Sequence, residues 1–242
     1  MSWEAEIENL LSKTEGEVFE KATLKSLWKL MSKGYITSFD FPISTGKEGN
    51  VFRAKRKNEF IAVKIYRINT STFRNISKYL MYDSLYKVKK DRKSIIFAWA
   101  RKEFNTLKKL HHVGVRVPKP ITCEGNVIIM EYIGSEEAPA PLLKDAMLED
   151  AEKIFDKIKC YLRLMYKKAG IVHADFSEYN VLIHENEPVI IDVGQTVGIE
   201  NPMAIDFLRR DVKNITKFFK KFINVNEEDL FNYIIGDENE IC

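Results

Sequence analysis

The segment from His173 to Gly194 constrains the fold and the chemistry of this chain more than any other part of it. It runs His-Ala-Asp175-Phe-Ser-Glu-Tyr-Asn180, then a short apolar run, then a second apolar run that ends in Asp192-Val-Gly. Two short strands in this order place three polar side chains at one edge of a ribbon. Asp175 can accept a proton from a hydroxyl or from water, and Asn180 and Asp192 offer oxygen ligands to Mg²⁺. The pattern predicts phosphoryl transfer, with turn capping by Asp175 and Asn180 as the plain alternative.

A glycine-containing loop between two predicted strands gives a second pattern. The run Ser44-Thr-Gly46-Lys47-Glu-Gly49-Asn-Val51 matches G-x-G-x-x-G-x-V except for serine in the first position. Glycine lets backbone N–H groups approach phosphate oxygens because no Cβ stands in the way. A hairpin turn would explain the loop about as well by itself, and the loop is not a Walker A motif.

Lys64 ends the apolar run Ile-Ala-Val-Lys, which matches the V-A-I-K strand of phosphate-binding folds. The lysine of that strand contacts phosphates and needs a carboxylate to hold it. Glu103 is the best partner, because helical spacing places it on the apolar face of its predicted helix. The alternative is that Glu103 lies at the edge of the apolar stripe and pairs with Lys108 or Lys109.

The order of predicted elements indicates two lobes. Short β-branched runs and one helix fill the first half, whereas long amphipathic helices beginning at Met147 and Ala204 dominate the second. We therefore expect an α+β fold in which a small antiparallel lobe and a helical lobe leave a cleft between them. The expected segments are a helical extension at 1–40, the β lobe at 41–130, a hinge at 131–134 and the helical lobe at 135–242.

Composition indicates a folded, soluble protein, because 45% of the 242 residues are hydrophobic and 12% are aromatic. No apolar run approaches the ~18 residues of a membrane span. The N-terminus is acidic where a secretory signal would be basic, so a cytoplasmic location is expected. Cys123, Cys160 and Cys242 are odd in number and lack C-x-x-C spacing, which argues against a disulfide framework and a zinc site.

The net charge of +3 conceals a segregation of charge along the chain. The stretch from Arg74 to Lys109 holds eleven Lys or Arg against three Asp or Glu, and both chain ends are acidic. Tyrosines interleave this basic stretch, which favours contact with a polyanion. Solvated helix faces are the alternative.

Together these motifs resemble the RIO family of atypical protein kinases. The Ser-Thr-Gly-Lys-Glu loop and the stretch Phe207–Asp211 are most similar to its first subfamily, and an archaeal source is expected. The resemblance covers about Thr23–Phe222. It implies a reduced bilobal protein-kinase-like fold without an activation segment or peptide-docking subdomains. It also implies serine/threonine phosphotransfer or ATP hydrolysis with ATP and Mg²⁺ or Mn²⁺, and maturation of the small ribosomal subunit with a pre-ribosomal particle as partner.

The resemblance assigns roles to residues at matching positions. Asp175 becomes the catalytic base, and Asp192 a metal ligand that is also a candidate phosphoryl acceptor. The remaining expected contacts are the phosphate loop (Ser44, Gly46, Lys47, Gly49, Val51), the phosphate lysine and its partner (Lys64, Glu103), the adenine contacts (Glu131, Ile133) and the second metal ligand (Asn180).

Lys64 and Glu103 are 39 positions apart, which leaves a surplus at about 69–93 that matches the flexible loop of RIO proteins. Its candidate autophosphorylation sites are Ser71, Ser77, Ser84 and Ser94. Gly49 stands where many members carry alanine or serine, so a looser phosphate loop is expected. His173 is expected to orient the catalytic loop.

Two other functions stay open at this point. A small-molecule kinase of the aminoglycoside or choline type also carries H-x-D-x-x-x-x-N. An RNA- or ribosome-binding module could use nucleotide only as a conformational ligand.

Overall fold

A computed structural model describes residues 20–68 and 91–236 of the chain. The chain divides into two compact units, which are described separately. The first comprises Met1–Phe104 and Lys119–Tyr132, and the second comprises Asn105–Pro118 and Ile133–Cys242. Most of the predicted basic insert, including Ser71, Ser77 and Ser84, lies outside the described residues.

The first unit contains a five-stranded antiparallel sheet with the strand order β1-β2-β3-β5-β4. The turn between β4 and β5 is the predicted Gly125-Asn126 hairpin, where Gly125 adopts φ 58°. A left-handed residue is what a tight hairpin turn requires. The strands are β1 (Ser38–Thr45), β2 (Gly49–Arg56), β3 (Glu59–Tyr66), β4 (Pro120–Glu124) and β5 (Val127–Glu131).

Alternation along β3 divides its side chains between the two faces of the sheet. Ile61, Val63 and Ile65 pack against the leucines of α1 (Lys21–Ser32). Tyr66, two residues after Lys64 and therefore on the same face, packs in a second cluster with Ile96 and Trp99 of α2 (Arg92–His112). Helix α1 ends before Gly34, whose φ of 72° confirms the predicted left-handed C-cap.

In its described residues, the second unit contains three helices of its own and two pairs of short strands, together with the C-terminal end of α2. Asp150 caps the first helix by accepting the N–H of Lys153, so the predicted start at Met147 is wrong. Met147 is 96% exposed. The elements are α3 (Ala151–Lys167), α4 (Ala204–Phe219), α5 (Glu227–Ile235), β6 (Ile171–Val172) paired with β9 (Val197–Gly198), and β7 (Val181–His184) paired with β8 (Glu187–Ile190).

The cysteines differ from expectation. Cys123 is a buried free thiol, and burial raises its pKa to about 11. Cys160 is disulfide-bonded, although the odd number of cysteines argues against a disulfide framework. Sequence spacing could not show this bridge, because bonding depends on the proximity of the two Cα atoms in space. Within the two described ranges, no helix is long and apolar enough to cross a membrane.

Candidate active site

The glycine loop joins β1 to β2 in the first unit. The N–H of Gly46 donates to the carbonyl oxygen of Gly49 at 3.0 Å, and a Cβ on Gly46 would lie 3.3 Å from that oxygen. A Cβ on Gly49 would lie 2.3 Å from the carbonyl oxygen of Ile65. This glycine therefore permits the close approach of β2 to β3, and the expected looseness of the loop stays a prediction.

The other predicted loop residues lie around this turn. Ser44 and Lys47 are exposed, and Val51 is half-buried. Val51 pairs directly with Lys64 across the β2–β3 ladder. The loop and the lysine are thus fixed by one set of backbone hydrogen bonds.

Lys64 and Glu103 form an ion pair with 2.8 Å between Nζ and Oε1. The Glu103 side chain is 2% exposed and that of Lys64 is 13% exposed. The structure thereby brings together the two residues that the sequence paired, while their action on phosphate stays a prediction. Tyr66 donates its hydroxyl to the other carboxylate oxygen, Oε2, of Glu103. The sequence does not predict this contact, because a tyrosine at the end of an apolar strand has the pattern of a core residue.

The predicted adenine contacts fall in different units. Glu131 ends β5 in the first unit, where its N–H donates to the carbonyl oxygen of Lys119 at 2.9 Å. Ile133 belongs to the second unit, where its carbonyl oxygen accepts the N–H of Ala140 at 3.0 Å. Both are placed by main-chain hydrogen bonds, and contact with adenine stays a prediction for both.

Asp175 lies half-buried in the loop between β6 and β7. Its Oδ2 accepts a hydrogen bond from Nε2 of Gln195 at 3.2 Å. Asn180 donates its amide nitrogen to the backbone carbonyl oxygen of Asp175 at 2.7 Å. Since the nitrogen is engaged, Oδ1 is the atom of Asn180 that could ligate a cation.

Asp192 follows β8 in the left-handed region, with φ 58° and ψ 53°. Only residues 193–203 separate it from α4, and they hold a 3₁₀ turn (Val193–Gln195) and β9. Burial raises the pKa of Asp175, and the negative charge of Asp192 raises it further. A carboxylate with a raised pKa is a stronger proton acceptor, so this shift suits a general base.

Helix α4 holds the Asp175 loop in place. Asp211 is fully buried and accepts the N–H groups of Ala174 at 2.8 Å and Phe176 at 2.9 Å, one on each carboxylate oxygen. Arg210 donates to the carbonyl oxygen of Ala174, a residue with φ 65°. Sequence reasoning missed Asp211, although its position between Leu208 and Ile215 on the apolar face of α4 could have revealed it.

His173 has the structural character that the sequence predicted. It is 1% exposed, and burial lowers its pKa to about 4, so the ring is neutral near pH 7. Its Nε2 lies 3.3 Å from the carbonyl oxygen of Ile191, and the ring packs edge-on against Phe176. These contacts connect the loop that holds Asp175 to the main chain just after β8, next to Asp192.

Comparison with known proteins decides the family. A family model described as the RIO domain matches residues 50–230. The chain belongs to the RIO family. It is 41% identical over 231 residues to the RIO-type serine/threonine-protein kinase Rio1 of Haloferax volcanii, covering 94% of this chain and 79% of that protein. It is 39% identical over 228 residues to the Rio1 kinase of Methanocaldococcus jannaschii, covering 93% and 78%.

Solved RIO structures support the fold. The Rio2 kinase from Chaetomium thermophilum matches with a TM-score of 0.70 and 25% identity, covering 91% of this chain and 70% of that one. Its ADP/Mg²⁺-phosphoaspartate complex matches with a TM-score of 0.68 and 20% identity, covering 97% and 76%. The predicted Rio1-type family and the reduced kinase-like α+β fold are confirmed.

The residues of the candidate site suit Mg²⁺ that is bound together with a nucleotide better than a metal ion held by protein ligands alone. In the described part of the chain, no group of three or more His, Cys, Asp or Glu side chains could hold a metal ion. Asn180 and Asp192 supply oxygen ligands, and Mg²⁺ commonly takes one or two such ligands and completes its shell with phosphates and water. The two residues therefore suit Mg²⁺ that arrives with a nucleotide.

Proposed function

We propose that this RIO chain uses ATP with Mg²⁺ to phosphorylate serine or threonine, itself included, and that it also hydrolyses ATP. The observation that carries the proposal is the arrangement of side chains around Asp175. Gln195 donates a hydrogen bond to the Asp175 carboxylate, and Asn180 donates its amide nitrogen to the Asp175 backbone, so its amide oxygen is the atom that could bind a cation. Relatives at 39–41% identity are named serine/threonine-protein kinases, which supports the same activity.

Each residue has a step that its surroundings support. The loop around Gly46 and the ammonium of Lys64 bind the phosphates of ATP. Asp175 removes the proton of the attacking hydroxyl in protein phosphorylation, or of water in hydrolysis. Asn180 and Asp192 would hold Mg²⁺, which neutralises charge on the phosphates when it is bound.

Asp192 is also proposed as a transient phosphoryl acceptor. The Rio2 complex from Chaetomium thermophilum is described as containing a phosphoaspartate. Asp192 is exposed in this chain, so a phosphoryl group could reach it. Attack of its carboxylate oxygen on the γ-phosphorus of ATP would form an acyl phosphate and break the bond to the bridging oxygen, so that ADP leaves. Later hydrolysis by water would restore the carboxylate and release phosphate.

Incubation of the purified chain with γ-labelled ATP and Mg²⁺ tests this function. Labelled protein reports autophosphorylation, and released labelled phosphate reports hydrolysis. Asp175→Asn should abolish both, whereas Asp206→Asn, at an exposed acid in the first turn of α4, should leave both unchanged. Turnover that survives Asp175→Asn would show that the base has been assigned wrongly.

We further propose that the chain acts in the cytoplasm on a pre-ribosomal small-subunit particle. The described part of the basic stretch supports this, because Lys108 and Lys109 are exposed on α2 and His111 and His112 follow them. Turnover should rise when purified small-subunit particles are added, and binding should weaken steeply with salt. Stimulation by an aminoglycoside or choline instead of the particle would favour a small-molecule kinase.

A further inference from the structure

We propose that Tyr66 is a positioning residue for Lys64 and that it acts through Glu103. The proposal rests on the proposed function, in which Lys64 binds the phosphates of ATP. Tyr66 is the last residue of β3 and lies two positions after Lys64, so both side chains project from the same face of the sheet. Its role follows from three sets of contacts.

The first set divides the carboxylate of Glu103 between two donors. Nζ of Lys64 donates to Oε1 at 2.8 Å, and the hydroxyl of Tyr66 donates to Oε2. Glu103 and Tyr66 are each 1% exposed, so water cannot replace either donor. A buried carboxylate is tolerated only when its oxygens are well paired. Tyr66 thus supplies a donor to Oε2, while Lys64 supplies one to Oε1.

The second contact is between the tyrosine ring and the lysine. Nζ of Lys64 lies 5.0 Å from the centroid of the Tyr66 ring, within the range of a cation–π interaction. The ammonium is therefore fixed by the carboxylate of Glu103 and by the face of the ring. Both constraints come from side chains of the protein itself, so together they fix the lysine in a position to bind phosphate.

The third set fixes the backbone of Tyr66. Its N–H donates to the carbonyl oxygen of Asn126 at 2.9 Å, and its own carbonyl oxygen accepts Nδ2 of Asn126 at 2.6 Å. Asn126 is fully buried and also donates to Oγ1 of Thr23 in α1 at 2.8 Å. The hydroxyl of Tyr66 is therefore carried by a backbone held on both sides, and small displacements of Glu103 are resisted.

The test is Tyr66→Phe, which removes the hydroxyl and keeps the ring. Oε2 of Glu103 then loses the hydroxyl of Tyr66 as a donor, and the carboxylate can turn towards Lys64 and draw the ammonium away from the phosphates. We expect the dissociation constants of ATP and ADP to rise about tenfold, as for the loss of one hydrogen bond to a charged group. Adenosine has no phosphates, so its dissociation constant should change less than about twofold.

Three controls separate positioning from a structural role. Tyr35→Phe removes a hydroxyl from the α1 side of the same unit and should change neither nucleotide nor adenosine binding. In a Lys64→Met background, Tyr66→Phe should weaken ATP binding no further, because the residue through which it acts is gone. In wild-type background the kcat of Tyr66→Phe should fall and the KM for ATP should rise, and circular dichroism should show the wild-type fold.

Two results would overturn the inference while leaving the proposed function intact: wild-type affinity for ATP in Tyr66→Phe, or equal weakening of ATP and adenosine binding. A further weakening by Tyr66→Phe in the Lys64→Met background would also overturn it. If wild-type protein binds adenosine and ATP equally well, Lys64 does not bind phosphate, and the proposed function fails together with this inference.

Discussion

Asp211 offers the sharpest test of how the Asp175 loop is held. Its carboxylate accepts two backbone N–H groups, those of Ala174 and Phe176, on either side of Asp175. Ala174 has φ 65°, and the left-handed region costs a residue with a Cβ about 1–2 kcal/mol. We expect Asp211→Asn to release this loop, because an amide nitrogen cannot accept the N–H that faces it.

The size of the effect follows from counting the buried donors. Asp211→Asn leaves one buried N–H without an acceptor, at a cost of about 1–3 kcal/mol. Asp211→Ala leaves two, at a cost of about 2–6 kcal/mol. The Asn variant should stay folded, because the free energy of unfolding of native proteins is about 5–15 kcal/mol. Turnover should fall even where the variant stays folded, because Asp175 is the proposed base and misplacing a catalytic group by 1 Å can cost about 10²-fold in rate.

Urea unfolding and ATP turnover, measured on the same preparations, check this expectation. The matched control is Asp206→Asn, which changes an exposed acid of the same helix and should cost less than about 1 kcal/mol. If Asp211→Asn matched wild type within about 0.5 kcal/mol in stability and about twofold in turnover, the helix would not be holding the loop.

The same variant should change how stability depends on pH. Burial raises the pKa of Asp211 from 3.8 to about 7. Between about pH 4 and pH 7 the folded state keeps a proton that the unfolded state has lost, so the free energy of unfolding falls as pH rises. The difference in stability between wild type and Asp211→Asn should therefore shrink from pH 4 to pH 7 and stay level above that. A constant difference across this range would contradict the raised pKa.

Three further expectations concern the site. Gly49→Ala should lower the free energy of unfolding by about 1–3 kcal/mol in thermal unfolding and weaken ATP binding, because its Cβ would lie 2.3 Å from the Ile65 carbonyl oxygen. Wild-type stability and ATP affinity in this variant would refute the close packing. Gln195→Ala should lower kcat several-fold and move the acid limb of the pH–rate profile to higher pH, because Asp175 loses a donor that favours its charged form. An unchanged pH–rate profile would contradict this. EDTA should stop turnover and added Mg²⁺ should restore it, and turnover in EDTA would exclude the proposed metal role.

Helical periodicity explains which parts of the site were predictable. The sequence predicts that Glu103 pairs with Lys64, because a charge on an apolar helix face needs a buried partner, and the ion pair is present at 2.8 Å. The same argument applies to Asp211, which interrupts the apolar face of α4, but its partners are backbone N–H groups. No residue type marks such a partner, so the sequence could show that Asp211 needs donors without showing where they are.

Other features depend on backbone geometry that periodicity does not encode. Asp192 and Ala174 adopt left-handed conformations, although only the aspartate belongs to a residue type that often does so. The pairing of β6 with β9 involves two residues on each strand, too few for an alternating pattern. Tyr66 has the pattern of a core residue, and only the structure shows its hydroxyl on Glu103.

Glu103 and Asp211 are the two acidic side chains that are buried among the residues the structure describes. Burying an ionised carboxylate is unfavourable unless every oxygen finds a donor, so a chain that needed only stability would gain by replacing both with apolar residues. Each of them instead holds one element of the candidate site: Glu103 positions the ammonium of Lys64, and Asp211 positions the main chain beside Asp175. Helices α2 and α4 therefore do more than cover a core, because each supplies the carboxylate that fixes a residue proposed to act on ATP.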